Sequence, residues 1–133
     1  MKCRYDIDPD LGGAEVPNFI LQPIVENALL HGLKNQGYDG EISISAGKTE
    51  TGMEISVKDS GSGFEEGKRE IIEQLLLHYA KKQPKMEGNS IGILNVQKRI
   101  KLLCGKEYGL NYTENQEGGV TAHIELPWKG VRK

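Results

Sequence analysis

Asp59 lies in the stretch VKDSGSGF, Val57 to Phe64, at the end of an alternation in which Met53, Ile55 and Val57 are apolar and Glu54, Ser56 and Lys58 are polar. That period of two marks a half-buried strand, and one further residue of strand turns the Asp59 carboxylate toward the apolar side. A buried carboxylate needs a donor of its own or one brought by a ligand, because leaving it unpaired is costly. The exocyclic amine of adenine is such a donor. Gly61 and Gly63 then let the backbone approach whatever Asp59 holds. Taken alone, Asp-Ser-Gly is more often an Asx turn, and nothing local reverses that.

Three other stretches carry residues of chemical interest. Asn27 and His31, four apart, share one face of a predicted helix, with Glu26 beside them. An Asn carbonyl oxygen suits a hard cation such as Mg²⁺ shared with phosphates, although a lone polar residue on a helix face is usually just solvated. GNSIGILN, Gly88 to Asn95, is a glycine-bearing loop running into a helix, where loop amides and the helix dipole attract an anion. It is no Walker loop, since no Gly-Lys-Ser/Thr follows, and no dinucleotide fingerprint. GGVT, Gly118 to Thr121, reads locally as a hairpin turn.

The elements that must position these residues follow from periodicity. CRYDIDPDL, Cys3 to Leu11, alternates as an opening strand. Asn18 caps a helix running to about Lys34, with Ile24, Val25, Ala28 and Leu29 as its buried stripe. Pro23 predicts a kink or restart near Gln22, since proline inside a helix costs about 3 kcal/mol. Glu41–Ala46 and Met53–Asp59 make a hairpin; Glu65–Gln83 is a helix with Ile72, Leu75, Leu76 and Tyr79 on one face. A further helix carries Ile93, Val96, Ile100 and Leu103 and ends at Cys104, with Gly105 as a left-handed cap. Gly109–Glu114 and Val120–Pro127 close the chain, with Val120, Ala122, Ile124 and Leu126 facing one way and Thr121, His123 and Glu125 the other. Without strict strand–helix alternation, the expectation is α+β: one mixed, mostly antiparallel sheet with about three helices on one face.

Composition narrows the class. The 133 residues suffice for a single domain with a real core, and a net charge of −2 argues against a nucleic-acid binder, which shows a basic excess. Cys3 and Cys104 fit no metal or redox spacing, so free thiols in a reducing compartment are expected. No apolar run reaches the roughly 20 residues that cross a bilayer, so no direct membrane contact is expected. The 17 glycines imply many special backbone positions.

In this order the four stretches resemble the ATP-binding catalytic domain of two-component sensor histidine kinases, part of the GHKL or Bergerat-fold superfamily that includes DNA gyrase, heat-shock chaperones and mismatch-repair proteins. LQPIVENALLHG, Leu21 to Gly32, is similar to the N box; DSGSG, Asp59 to Gly63, to the first glycine box; GNSIGI, Gly88 to Ile93, to the second; GGVT to the closing Gly-Thr element. The resemblance covers nearly the whole chain, as one HATPase domain. With SIGILNVQKRIKLL following, it is most similar to the LytS/YesM type. It implies a two-layer α/β sandwich that binds Mg-ATP. Asn27 would hold Mg²⁺ against the phosphates, with Glu26 beside it as the second catalytic residue and His31 close by. Asp59 would accept from the adenine amine, and Gly61 and Gly63 would shape the base pocket. Gly88, Ser90, Ile91 and Gly92 would meet the phosphates at the helix start, and Thr121 would complete the adenine side. Phe64 to Asn89 would be a mobile lid, with Lys81, Lys82 and Lys85 as phosphate partners or, more simply, a solvated charge run.

The resemblance also implies partners: ATP, an upstream dimerisation and phosphoacceptor domain, and a response regulator, in a cytoplasmic domain of a membrane-anchored sensor. None of His31, His78 or His123 falls on a dimerisation helix. The acceptor and sensor are therefore expected upstream, and the isolated domain is not expected to autophosphorylate. Three positions depart from the pattern. Pro23 stands where hydrolysing relatives carry a glutamate, Leu30 where many have a basic residue unless Lys34 substitutes, and Ser90 where the second box has a glycine. The rival readings are a stand-alone serine kinase of the anti-sigma type and a degenerate module that serves as an interaction surface.

Overall fold

The computed structural model of the protein describes residues 2–7, 20–28, 41–60, 68–79, 89–116 and 118–127. In chain order they form β1 (Lys2–Ile7), α1 (residues 20–28), β2 (Glu41–Lys48), β3 (Met53–Asp59), α2 (Lys68–Leu77), α3 (Asn89–Cys104), β4 (Gly109–Glu114) and β5 (Val120–Leu126). The strands make one five-stranded sheet in the order β1-β2-β3-β5-β4. β1 runs parallel to β2, and the other three pairings are antiparallel. The α+β, mixed and mostly antiparallel architecture read from the sequence is the one observed.

Period-two alternation decides which face carries helices. Ile42 and Ile44 of β2, Met53, Ile55 and Val57 of β3, Leu110 and Tyr112 of β4, and Val120, Ala122, Ile124 and Leu126 of β5 point to one side. There they join Ile20, Ile24 and Ala28 of α1, Ile72 and Leu76 of α2, and Ile93, Val96 and Ile100 of α3 in a single core. The opposite face carries Ser43, Ser45, Glu54, Ser56, Lys58 and His123, and none of these is buried.

Three expectations shift in detail. Residues 20–28 are helical without interruption, so the restart near Gln22 is not there. Burial of Ile20 and Ile24, each worth about 1.5–3 kcal/mol, offsets the cost of a proline in the helix. The α3 stripe includes Leu94 and Gln97, while Leu103 is 38% exposed near the helix end. The lid expected from Phe64 cannot include α2, because Ile72, Leu75 and Leu76 are buried and lifting them would forfeit about 1.5–3 kcal/mol each.

Gln97 ties this layer together. Its amide donates to Leu76 O at 3.2 Å and its oxygen accepts from Leu110 N–H at 2.7 Å, joining α3 to the end of α2 and the start of β4. Gly105, at φ +115°, stops α3 with its N–H on Lys101 O at 3.2 Å, as the left-handed cap predicts. Cys104 beside it is a free thiol, its pKa raised by burial.

Candidate functional site

Asp59 is the last residue of β3, opposite Ile42 of β2, and is 3% exposed. Its alternation with Met53, Ile55 and Val57 turns the carboxylate to the helix-covered face, as the sequence pattern requires. One oxygen, Oδ1, accepts the Val120 N–H at 3.3 Å. Gly119 lies against the same residue. A Cβ there would collide with the Asp59 carbonyl oxygen and come within 2.8 Å of its carbonyl carbon, and φ at Gly119 is +85°. Only glycine meets both demands.

Asn27 of α1 is 5% exposed, one residue from the core residue Ala28 rather than on a separate solvated face. It reaches the same buried patch from the helix layer. Burial pushes the Tyr112 phenol well above its ordinary pKa, the Asn27 side chain acts in the opposite direction, and the Asp59 carboxylate adds to the rise. Asn27, Tyr112 and Asp59 thus sense one another at the end of the sheet, although they lie on α1, β4 and β3. Glu26 faces solvent, where it accepts from Gln22 Nε2 at 2.9 Å.

The start of α3 adjoins α1. A Cβ on Gly92 would meet Pro23 Cβ at 3.7 Å, an ordinary contact, so at this point the two helices are neighbours. Ser90 and Ile91 lie in the first turn of α3, and no acidic residue occupies that turn. A helix N-terminus free of carboxylates favours an anion. His31, Gly61, Gly63 and Gly88, together with Leu30, Lys34, Lys81, Lys82 and Lys85, lie outside the described residues.

Thr121 is turned away from Asp59. It pairs with Lys58, an exposed residue on the outer face, whereas Asp59 belongs to the inner set. Alternation along β5 makes this unavoidable, because Val120 already faces inward. The Thr121 hydroxyl donates instead to Asn115 Oδ1 at 2.6 Å, and Asn115 Nδ2 donates to the Asp59 carbonyl at 3.2 Å. Tyr112 and Asn115 are the neighbours that sequence reasoning missed, and Gly119 and Val120, inside the GGVT stretch, were given no part at the site. A tyrosine on the apolar side of GLNYTE was a legible signal for the first and the paired glycines for the third; nothing local marks Asn115.

Among the described residues no group of three or more His, Cys, Asp or Glu side chains is placed to hold a metal. A cation at Asn27 would therefore take a single carboxamide oxygen from the described residues and share the rest of its shell with waters and phosphates, which suits Mg²⁺. No helix among the described residues is long and apolar enough to cross a membrane.

A mixed sheet with its helices on one face, a buried aspartate at a strand end and an asparagine on the facing helix define an ATPase-type domain. The chain belongs to the histidine kinase-, DNA gyrase B- and HSP90-like ATPase family, whose model matches residues 17–130. It is 32% identical over 127 residues to the sensor protein LytS of Oceanobacillus iheyensis, covering 96% of this chain and 21% of that protein. It is 35% identical over 102 residues to the sensor histidine kinase YpdA of Escherichia coli, covering 77% and 16%. The chain thus spans about a fifth of the length of these two curated relatives. In structure it is similar to the catalytic domain of the histidine kinase ThkA, with a TM-score of 0.63, 20% identity and coverage of 98% and 80%. A structure of ThkA in complex with the response regulator protein TrrA matches with a TM-score of 0.62 and 24% identity, over 95% of this chain and 33% of that one. The ATP-binding fold expected from the boxes holds, and sensor proteins of the expected LytS and YesM type are among the relatives matched.

Proposed function

We propose that this chain binds Mg-ATP and presents its γ-phosphoryl group to a histidine on an upstream dimerisation domain, for relay to a response regulator. The observation that carries the reading is Asp59: a nearly inaccessible carboxylate at a strand end, oriented by the Val120 N–H and crowded by Gly119, facing the same patch as Asn27. Asp59 accepts from the adenine amine and Asn27 holds the metal, with Glu26 at its side; the α3 amides at Ser90, Ile91 and Gly92 meet the phosphates. Mg²⁺ supplies charge neutralisation on the phosphate oxygens. The incoming imidazole nitrogen forms the bond to the γ-phosphorus as the bond to the β-phosphate oxygen breaks, and ADP departs. The chain's part is positioning and electrostatics rather than covalent chemistry.

The same reading keeps the isolated domain from autophosphorylating. His123 is held on the outer face between Thr113 and Glu54, and His78 follows α2 with its N–H on Gln74 O. Pro23, four residues before Asn27 on α1, offers no carboxylate to activate water, which favours transfer over hydrolysis.

Calorimetry with ADP or a non-hydrolysable ATP analogue, with and without Mg²⁺, tests the binding half. Saturable binding strengthened by Mg²⁺ is expected, with Asn27→Ala losing only the metal-dependent part; absence of binding overturns the reading. For the transfer half, an upstream dimerisation segment is supplied in trans with ATP. Acid-labile phosphate on that segment is expected, and acid-stable phosphoserine would instead favour a serine kinase.

A further inference from the structure

We propose that Asn115, oriented by Thr121, is a positioning residue that sets the Asp59 carboxylate and thereby the preference for adenine over guanine nucleotides. The inference rests on the reading that Asp59 accepts from the adenine amine.

The end of β3 is gripped from both sides. On the β2 flank, Ser60 N–H donates to Glu41 O at 3.0 Å and Glu41 N–H donates to Ser60 Oγ at 2.7 Å. On the other flank the ladder with β5 runs to Lys58 opposite Thr121, and beyond it the Val120 N–H is given to the Asp59 side chain. The Asp59 carbonyl therefore takes a side-chain donor, Asn115 Nδ2, at 3.2 Å. One residue is thus fixed through its main chain by Asn115, in the β4–β5 connection, and through its carboxylate by Val120, the first residue of β5.

Asn115 is itself locked. Its N–H donates to Gly119 O at 3.0 Å, its carbonyl accepts from Gly118 N–H at 3.2 Å, and its Oδ1 accepts from the Thr121 hydroxyl at 2.6 Å. The hydroxyl selects the amide orientation. Were the amide flipped, Oδ1 would face the Asp59 carbonyl, setting acceptor against acceptor. Thr121 thus influences the inner face from the outer one, through a relay that passes around the end of the sheet.

The consequence for specificity is chemical. Adenine presents an amine where guanine presents a carbonyl, so a fixed carboxylate accepts from one and repels the other. Hydrogen bonds weaken steeply with misalignment, so a carboxylate free to swing loses the attraction and the repulsion together. A residue that only supported the fold would lower stability and leave the ratio of the two affinities alone.

The test measures binding of non-hydrolysable ATP and GTP analogues to wild type, Asn115→Ala, Thr121→Val, Thr121→Ser and the Asn115→Ala/Thr121→Val double variant, with thermal unfolding of each. Asn115→Ala is expected to lower the ATP-to-GTP affinity ratio roughly 5- to 30-fold. Thr121→Val is expected to lower it less, Thr121→Ser to restore it, and the double variant to be no worse than Asn115→Ala, because Thr121 acts through Asn115. A wild-type ratio in folded Asn115→Ala, or additive losses in the double variant, would overturn the proposal. If Asn115→Ala fails to fold, the contrast between Thr121→Val and Thr121→Ser decides it. Wild type that binds both analogues equally would instead overturn the role of Asp59, a failure visible before any variant is made.

Discussion

Two polar clusters occupy opposite faces of the same sheet, and by residue type the wrong one looks catalytic. On the outer face Thr113 Oγ1 lies 2.8 Å from His123 Nε2, and His123 Nδ1 lies 2.8 Å from Glu54 Oε1, a hydroxyl–imidazole–carboxylate relay by distance. The inner cluster, among the described residues, brings together a carboxylate, a carboxamide and a phenol. The outer chain is solvated, with the His123 and Glu54 side chains 24% and 35% exposed. β3 and β5, which carry Glu54 and His123, are interior strands paired on both sides at these two residues, so neither strand offers a free amide beside them for a developing oxyanion. The inner cluster is nearly dry, so each charge or dipole there acts with little screening and each misplacement is costly. Side-chain inventory nominates a site, but burial and the supply of free backbone groups decide whether it has leverage.

Four substitutions sharpen or break this contrast. Gly119→Ala should do most damage, because it adds a Cβ against the Asp59 carbonyl at a positive φ; a loss of about 2 kcal/mol or more is expected in urea unfolding, with weakened nucleotide binding alongside it. Wild-type stability would mean that the β4–β5 turn does not crowd Asp59. Asp59→Asn should leave a folded domain but turn a donor toward the adenine amine. Calorimetry should then show ATP-analogue affinity down roughly 10- to 150-fold and the preference over GTP gone. Retained preference would remove Asp59 from base recognition. The smallest effects belong to the outer face: Glu54→Gln and Thr113→Val should each change stability by less than about 1 kcal/mol and leave nucleotide affinity unchanged. A loss of phosphotransfer in Thr113→Val would invert the comparison and make the outer relay functional.

Much of this was legible beforehand, and the exceptions share a cause. β3 was read with its observed bounds because strict alternation leaves one register, and that register placed Asp59 inward. The Gly105 cap followed from a glycine after a helical stripe. Thr121 was assigned to the adenine side from its neighbourhood in GGVT, although alternation along β5 already put it opposite Val120. The lid was drawn too wide because a sequence interval does not say which of its residues meet the core, and Ile72 and Leu76 do. Tyr112 and Asn115 were overlooked because neither belongs to a glycine box and their partners are distant in the chain.

By itself the sequence determined the family and the strand faces, since those depend on periodicities and spacings written within short windows. Only the tertiary structure decided that Asn27 shares a buried patch with Tyr112 and Asp59, that the Val120 N–H meets the Asp59 carboxylate, and that Asn115 caps its carbonyl. Asn115 and Asp59 are 56 positions apart, and Val120 and Asp59 are 61 apart. Contacts at that separation arise from strand order and register, which place β5 rather than β4 beside β3, and no local pattern encodes them.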